Sequence, residues 1–179
     1  MLFRSVLDAA GQAFMTEGYR ASIDHIAAAA GVAKQTLYNH FPSKEALFEE
    51  VVRNGSRQIL VTLEAEDGDL RTNLTRFAVL YRQKVLCPHG LGVFRTLVAE
   101  MPRFPQLSRT LFEAGPRETM GRLAKFLARA MERGELRQED PIFAADMLTA
   151  MLANYERLRG LLTGDTNLLD DAKIGRAHV

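Results

Sequence analysis

Residues 22–44 read SIDHIAAAAGVAKQTLYNHFPSK, and this stretch decides the fold of the N-terminal part of the chain. Ser22 precedes apolar residues at helical spacing and has the side chain of a typical N-cap. Gly31 permits a sharp turn after this first helix. A second helix is predicted over residues 34–40, and Pro42 ends it because the residue before a proline disfavours helical dihedrals. The stretch therefore predicts two short helices joined by a tight turn.

The second of these helices has a polar outer side, which is typical of a surface that contacts DNA. A helix fits the major groove, about 12 Å wide, when a partner helix holds it above the protein surface. Lysine and amide groups can bind base edges, whereas phenol, imidazole and lysine groups can bind phosphate. The side chains expected to point inward are Ile23, Ile26, Ala27, Val32 and Leu37. Those predicted to meet DNA are Lys34, Gln35, Thr36, Tyr38, Asn39, His40 and Lys44.

Each of these polar residues also has an ordinary structural interpretation. A serine at position 22 or 43 caps a helix in any protein. Tyr38 would pack half-buried against the first helix of the chain, and His40 would be structural. Exposed lysines are usually just solvated. The order of the residues in the stretch, rather than any one of them, favours DNA contact.

The remainder of the chain predicts an all-α protein. The run ILVTL at 59–63 favours a strand by propensity. With no second strand to pair with it, we expect the helix capped by Ser43 to continue through this run. A boundary is indicated at EDGD, residues 66–69, and a helix break at Gly115. Further helices are predicted over about 5–17, 70–86, 89–101, 116–134 and 141–163, the last of them capped by Asp140.

Composition excludes several classes of protein. The single cysteine, Cys87, excludes an internal disulfide. No apolar run approaches the roughly 20 residues that span a bilayer, so we expect a cytoplasmic protein without a membrane partner. The four histidines lie in no metal-ligand spacing, and there is no nucleophile elbow or glycine-rich phosphate loop. We therefore expect no catalytic residue, no metal and no cofactor.

Charge counts against DNA binding. The chain has a formal net charge of +1, whereas a DNA-binding unit normally has a positive surface. Within residues 1–57 the basic side chains are Arg4, Arg20, Lys34, Lys44, Arg53 and Arg57. The acidic side chains that balance them are Asp8, Glu17, Asp24, Glu45, Glu49 and Glu50.

Both ends of the chain have the sequence of a translated sequencing adapter. The tail KIGRAHV, residues 173–179, and the opening LFRS correspond to opposite strands of one such adapter. We expect the natural sequence to run from about Val6 to about Ala172, with a basic arm and a last helix missing. A chain shortened in this way would dimerise and bind DNA more weakly.

The segment GYRASIDHIAAAAGVAKQTLYNHFPSKEALF, residues 18–48, resembles the N-terminal signature of the TetR family of transcriptional repressors. The later segment LVAEMPRFPQLSRTLFEAGP, residues 97–116, resembles the C-terminal domain of the AefR-like branch. The basic residues that the family usually places before the first helix are absent here. Carried onto this chain, the family's DNA contacts fall on Ser22, Lys34, Gln35, Thr36, Tyr38, His40 and Lys44.

The resemblance implies an all-helical homodimer that binds a palindromic double-stranded DNA operator and releases it when a small molecule binds. A three-helix helix–turn–helix domain is expected over residues 1–52, and a helical ligand-binding and dimerisation domain over 53–172. Residues 173–179 are expected to be a non-native tail. The apolar residues of the last two helices cover more than one face, which fits packing against a symmetric partner. The alternative is a helical small-molecule-binding protein that has lost DNA binding.

The ligand-binding residues are harder to predict, because bulky apolar side chains at helical spacing are usually ordinary core. Few fixed charges lie among them, so an amphipathic or aromatic effector is favoured. The candidate side chains are Phe77, Tyr81, Phe94, Leu97, Met101, Phe112, Met120 and Met151.

Overall fold

A computed structural model of the chain describes residues 2–64, 69–165 and 167. All regular structure in these ranges is helical, which confirms the predicted all-α class. A 3-10 turn, Gly18–Arg20, follows the first helix. The α-helices are α1 Leu2–Glu17, α2 Ile23–Ala29, α3 Lys34–His40, α4 Lys44–Glu64, α5 Leu70–Leu86, α6 Pro88–Glu100, α7 Pro105–Phe112, α8 Glu118–Glu132 and α9 Pro141–Thr163.

The helix ends follow the local chemistry of the sequence. The Ser22 hydroxyl accepts a hydrogen bond from the Asp24 amide at 3.2 Å, as an N-cap should. The Asp140 carboxylate accepts two, from the second and third residues of α9, at 2.8 and 2.9 Å. Gly31 has φ +70°, a left-handed conformation that L side chains rarely adopt, so the turn between α2 and α3 requires glycine. The run at 59–63 lies within α4, as predicted.

Two helix boundaries differ from the prediction. Helix α1 begins at Leu2 rather than near residue 5, and the Phe3 ring stacks on Phe41 with 5.5 Å between centroids. The helix break predicted at Gly115 is wrong, because a π-helical turn over 113–117 joins α7 to α8. Pro116 lies inside this turn, and the local widening accommodates a residue that has no N–H to donate and whose ring clashes with the preceding turn of a regular α-helix.

The chain divides into two compact units, and the first contains residues from two separate stretches. It comprises Met1–Gly55 and Pro88–Gly115, so α6 and α7 belong with the N-terminal helices. Its core is aromatic and aliphatic, with Phe14, Ile26 and Leu37 each fully buried. The functional boundary that we predict near residue 52 therefore differs from this division by packing, and it remains a prediction.

Helices α1 and α6 lie close together because glycines remove side chains from their contact. A Cβ on Gly92 of α6 would lie 2.8 Å from Met15 Cγ and 3.3 Å from Met15 Cα. A Cβ on Gly11 of α1 would lie 2.7 Å from Cε1 of His89. Each helix thus receives a large side chain of the other at a glycine, which fixes how the two helices pack.

The second unit comprises Ser56–Cys87 and the described residues from Pro116 onward. Its core contains Phe77 and Leu123, both fully buried. Arg82 is also buried; it donates to the carbonyl of Leu152 and lies 3.5 Å from a carboxylate oxygen of Glu156. The tail 173–179 lies outside the described residues, as do residues 66–68 of the predicted boundary.

Two absences hold for the part of the chain that the structure describes. None of its helices is long and apolar enough to cross a membrane. None of its His, Cys, Asp and Glu side chains form a group of three or more that could hold a metal ion.

Candidate nucleic-acid interface

The inner faces of α2 and α3 pack into the first core, as the sequence predicted. Ile26 and Leu37 are fully buried and Ala27 is 3% exposed. Ile23 and Val32 are partly buried and pack against the same cluster. The apolar residues of both helices are therefore used for packing, and the other side of α3 is left for polar groups.

The outer side of α3 is exposed and hydrogen-bonded within itself. Gln35 Nε2 donates to Asn39 Oδ1 at 3.2 Å, one helical turn later. Tyr38 is 37% exposed, and Thr36 is partly buried. The side chains of Lys34, Gln35, Asn39 and His40 are all exposed. This is a row of donors and acceptors on a helix that is anchored from behind, which is the arrangement that major-groove recognition needs.

Lys34 at the start of α3 forms an ion pair with Asp24 of α2. Its Nζ lies 2.9 Å from Asp24 Oδ1 and 3.1 Å from Oδ2. The hydrogen bond to Asp24 raises the pKa of the Lys34 amine, so the side chain stays charged. The lysine predicted to approach DNA is thus held by a carboxylate in the free protein.

The two serines cap helices, and they differ in whether a hydroxyl proton remains for DNA. Ser22 accepts from the amide of Asp24, and Ser43 Oγ accepts from the amide of Ala46 at 3.1 Å. A hydroxyl that accepts a backbone bond still has its own proton to donate. Capping therefore does not prevent Ser22 from donating to a phosphate, whereas the Ser43 side chain also bonds to the Glu45 carboxyl.

Lys44 is not the fully exposed lysine that the sequence suggested. It is partly buried, and its Nζ lies 4.8 Å from the centroid of the Tyr19 ring, in a cation–π contact. Desolvation lowers the pKa of the Lys44 amine, and the charge of neighbouring Glu45 opposes this effect. The residue was misjudged because the aromatic ring that covers it comes from a distant part of the sequence.

Tyr19 also forms a contact that sequence reasoning missed. Its hydroxyl donates to Glu45 Oε1 at 2.5 Å, and its ring packs edge-on against Phe104 at 5.7 Å. Burial and the bond to Glu45 raise the pKa of the Tyr19 phenol, and the same bond lowers the pKa of the Glu45 carboxyl. The pair fixes the start of α4 beside the turn that follows α1.

Comparison with known families agrees with this geometry. Residues 6–51 match the family described as bacterial regulatory proteins, tetR family. Residues 72–178 match the AefR-like transcriptional repressor, C-terminal domain. The chain belongs to the TetR family of transcriptional regulators. The predicted family and its AefR-like C-terminal branch are confirmed, and the family is one of regulators rather than enzymes.

Individual regulators are similar to this chain over most of its length. A regulator from Mesorhizobium loti is 30% identical, with a TM-score of 0.78, over 97% of this chain and 89% of that one. The flavonoid-responsive regulator FrrA is 32% identical, with a TM-score of 0.63, over 97% and 91%. An uncharacterised HTH-type transcriptional regulator of Mycobacterium tuberculosis is 28% identical over 146 residues, which are 81% of this chain and 69% of that protein.

In this TetR-family chain the predicted ligand-binding residues fall in both compact units. Within the second, Phe77 and Tyr81 stack with 5.5 Å between ring centroids, and Met120 packs against the same cluster. Within the first, Phe94 is partly buried, and Leu97 packs against the core that contains α2 and α3. The remaining three candidates are more than half exposed in the single chain: Met101 at 53%, Phe112 at 51% and Met151 at 71%.

Proposed function

We propose that this TetR-family regulator is a ligand-responsive repressor that binds a palindromic DNA operator as a homodimer. The single observation that carries the proposal is the outer side of α3, whose polar groups are presented by a helix packed from behind. In this proposal Lys34, Gln35, Thr36 and Asn39 approach bases. Ser22, Tyr38, His40 and Lys44 lie along the phosphates, together with the backbone amides at the start of α4.

The exposed face of α9 supports the homodimer. Large apolar side chains recur along this helix at positions 142–162, and each is at least 45% exposed in the single chain. Monomeric proteins rarely expose an apolar patch of this length. A second copy of the same helix is a self-complementary cover for it. The exposed side chains are Ile142, Phe143, Met147, Met151, Tyr155, Leu158 and Leu162.

An aromatic or amphipathic effector is supported by the second unit. The stacked rings of Phe77 and Tyr81, with the adaptable side chain of Met120 beside them, provide apolar walls. FrrA, similar over nearly the whole chain, is a flavonoid-responsive regulator by name. Flavonoids are aromatic and amphipathic, so they are the first compounds to test. In this proposal the protein acts on DNA in the cytoplasm.

The test is an operator titration with the DNA that flanks the gene. The dimer should bind this DNA with an affinity that falls as salt rises, and it should not bind a scrambled duplex equally well. Flavonoids are then added to the complex and should release the operator if the effector is aromatic. Medium-chain fatty acids are the non-aromatic comparison, and they should release it if an amphipathic compound suffices. Absence of salt-sensitive operator binding would overturn the repressor and favour a small-molecule-binding protein without DNA activity.

A further inference from the structure

The ion pair between Lys34 and Asp24 links the first residue of α3 to the second residue of α2. Both side chains are solvent-exposed, 52% for Lys34 and 69% for Asp24. The capping hydrogen bond at this point is made by Ser22, and Asp24 adds an acidic side chain to the first turn of α2. The Asp24 carboxylate can therefore pair with Lys34 without losing the capping hydrogen bond of α2.

A lysine at the start of a recognition helix can take two kinds of partner. Phosphate contacts are independent of sequence and supply most non-specific affinity. Contacts to guanine O6 and N7 in the major groove carry sequence information. An unpaired ammonium favours phosphate, because that partner is charged and present at every step of the duplex.

Asp24 changes this preference through charge and geometry. A phosphate that approaches Lys34 must displace or approach the carboxylate that already lies 2.9 Å from Nζ, and it is repelled by the carboxylate charge. A guanine edge is neutral and is not repelled in this way. The ammonium has three donors, and Asp24 leaves at least one of them for a base. The formal charge of residues 1–57 is zero, so this part of the chain as a whole attracts phosphate only weakly.

We propose that Asp24 is a specificity-determining residue. Its carboxylate weakens the binding of Lys34 to phosphate and leaves Lys34 able to bind a base edge. The inference rests on the proposed operator binding. It concerns the helix–turn–helix domain over residues 1–52, called the head below. The head should discriminate between sequences because it binds non-operator DNA weakly, rather than because it binds its operator unusually tightly.

The test compares wild type with Asp24→Asn, which keeps the shape of the side chain and removes its charge. Each protein is titrated with the operator and with a scrambled duplex of equal length and composition, over a series of salt concentrations. The variant should bind the scrambled duplex on the order of tenfold more tightly. The slope of log affinity against log salt concentration on that duplex should steepen by about 2, because a dimer gains one phosphate contact in each head. Operator affinity should rise less. The specificity ratio, which is the operator affinity divided by the affinity for the scrambled duplex, should therefore fall.

Two further variants separate local pairing from net charge. Glu49→Gln removes one negative charge from the same head, where Glu49 pairs with Arg53 in α4. This control should leave the specificity ratio near that of wild type. In the double variant Asp24→Asn/Lys34→Gln, the scrambled-duplex affinity and salt slope should return toward the wild-type values, because the released ammonium is gone.

The outcomes distinguish this inference from the proposed function. If the wild-type protein binds the operator and Asp24→Asn has an unchanged specificity ratio, the proposed role of Asp24 is wrong and the repressor proposal is unaffected. A ratio that falls only through weaker operator binding would overturn it too, since Asp24 would then be a direct operator contact. A wild-type dimer that shows no operator binding would overturn the proposed function and this inference together.

Discussion

Helices α3 and α9 both present an exposed face, but the two faces differ in how they tolerate water. The side chains of α3 are polar and bond to near neighbours, as Lys34 does with Asp24 and Gln35 with Asn39. The exposed side chains of α9 are largely apolar, and Met151 and Leu162 are more than 70% exposed. A polar face is stable in water without a partner, whereas an apolar face of this length is a liability until it is covered.

This difference in polarity indicates how long each face stays bound to its partner. Burying a large apolar side chain contributes about 1.5–3 kcal/mol, so several on one helix support lasting association. An exposed ion pair or hydrogen bond contributes about 1 kcal/mol or less, because water competes for the same groups. We therefore expect α9 to remain covered by a second copy while α3 binds and releases DNA.

The largest expected effect comes from placing charge on the α9 face. In Met151→Glu/Leu158→Glu the two substituted side chains lie two turns apart on that face, and both are exposed in the single chain. Two carboxylates would have to be buried without partners, so the dimer should dissociate into folded monomers. Operator affinity should fall by about two orders of magnitude or more, because the two heads no longer act together. Sedimentation and operator titration measure the two effects.

A matched control places the same charges elsewhere. Gln106 and Thr110 are both exposed on α7, so Gln106→Glu/Thr110→Glu adds two negative charges without touching α9. This control should remain a dimer. If the α9 variant also stays a folded dimer, the exposed face of α9 is not the interface.

The next effect tests the polar face through Tyr38, which is 37% exposed. Tyr38→Ala should weaken operator binding about 30-fold, because each of the two heads loses a phosphate contact worth roughly 1 kcal/mol. Tyr38→Phe removes only the hydroxyl and separates its contribution from that of the ring. Helicity and dimerisation should not change in either variant. Unfolding of Tyr38→Ala, measured by circular dichroism, would instead make Tyr38 a core residue.

The sequence could predict most of α3 because its signals are local. Gly31, Leu37 and Pro42 specify a turn, a buried position and a helix end within a dozen residues. The same locality predicted the caps at Ser22 and Asp140, both of which the structure has.

What could not be predicted depends on residues that meet only in the fold. Tyr19 and Glu45 are 26 positions apart, and no periodicity indicates that the phenol would bond to that carboxylate or that its ring would cover Lys44. Lys34 and Asp24 lie on different helices, so their pairing depends on the angle of the turn at Gly31. The π turn around Pro116 could not be predicted for another reason. Proline normally ends a helix, and the local sequence does not indicate where a helix continues through a π turn instead.

The smallest effect compares the N-cap of α9 with that of α2, the helix that packs beside α3. Asp140→Ala removes an acceptor of two amide bonds at the start of α9 and should cost about 1–2 kcal/mol of unfolding free energy. Ser22→Ala removes one longer bond at the start of α2 and should cost about 0.5–1 kcal/mol. Urea denaturation measures both.

Operator binding should rank the two cap variants in the opposite order. Asp140 caps a helix of the apolar face, so the folded Asp140→Ala dimer should bind the operator as wild type does. Ser22→Ala should bind severalfold more weakly, because the hydroxyl that accepts from Asp24 also has a proton for phosphate. If Ser22→Ala instead loses stability alone and binds the operator normally, Ser22 is a cap and nothing more. The phosphate contacts of the head would then begin at α3.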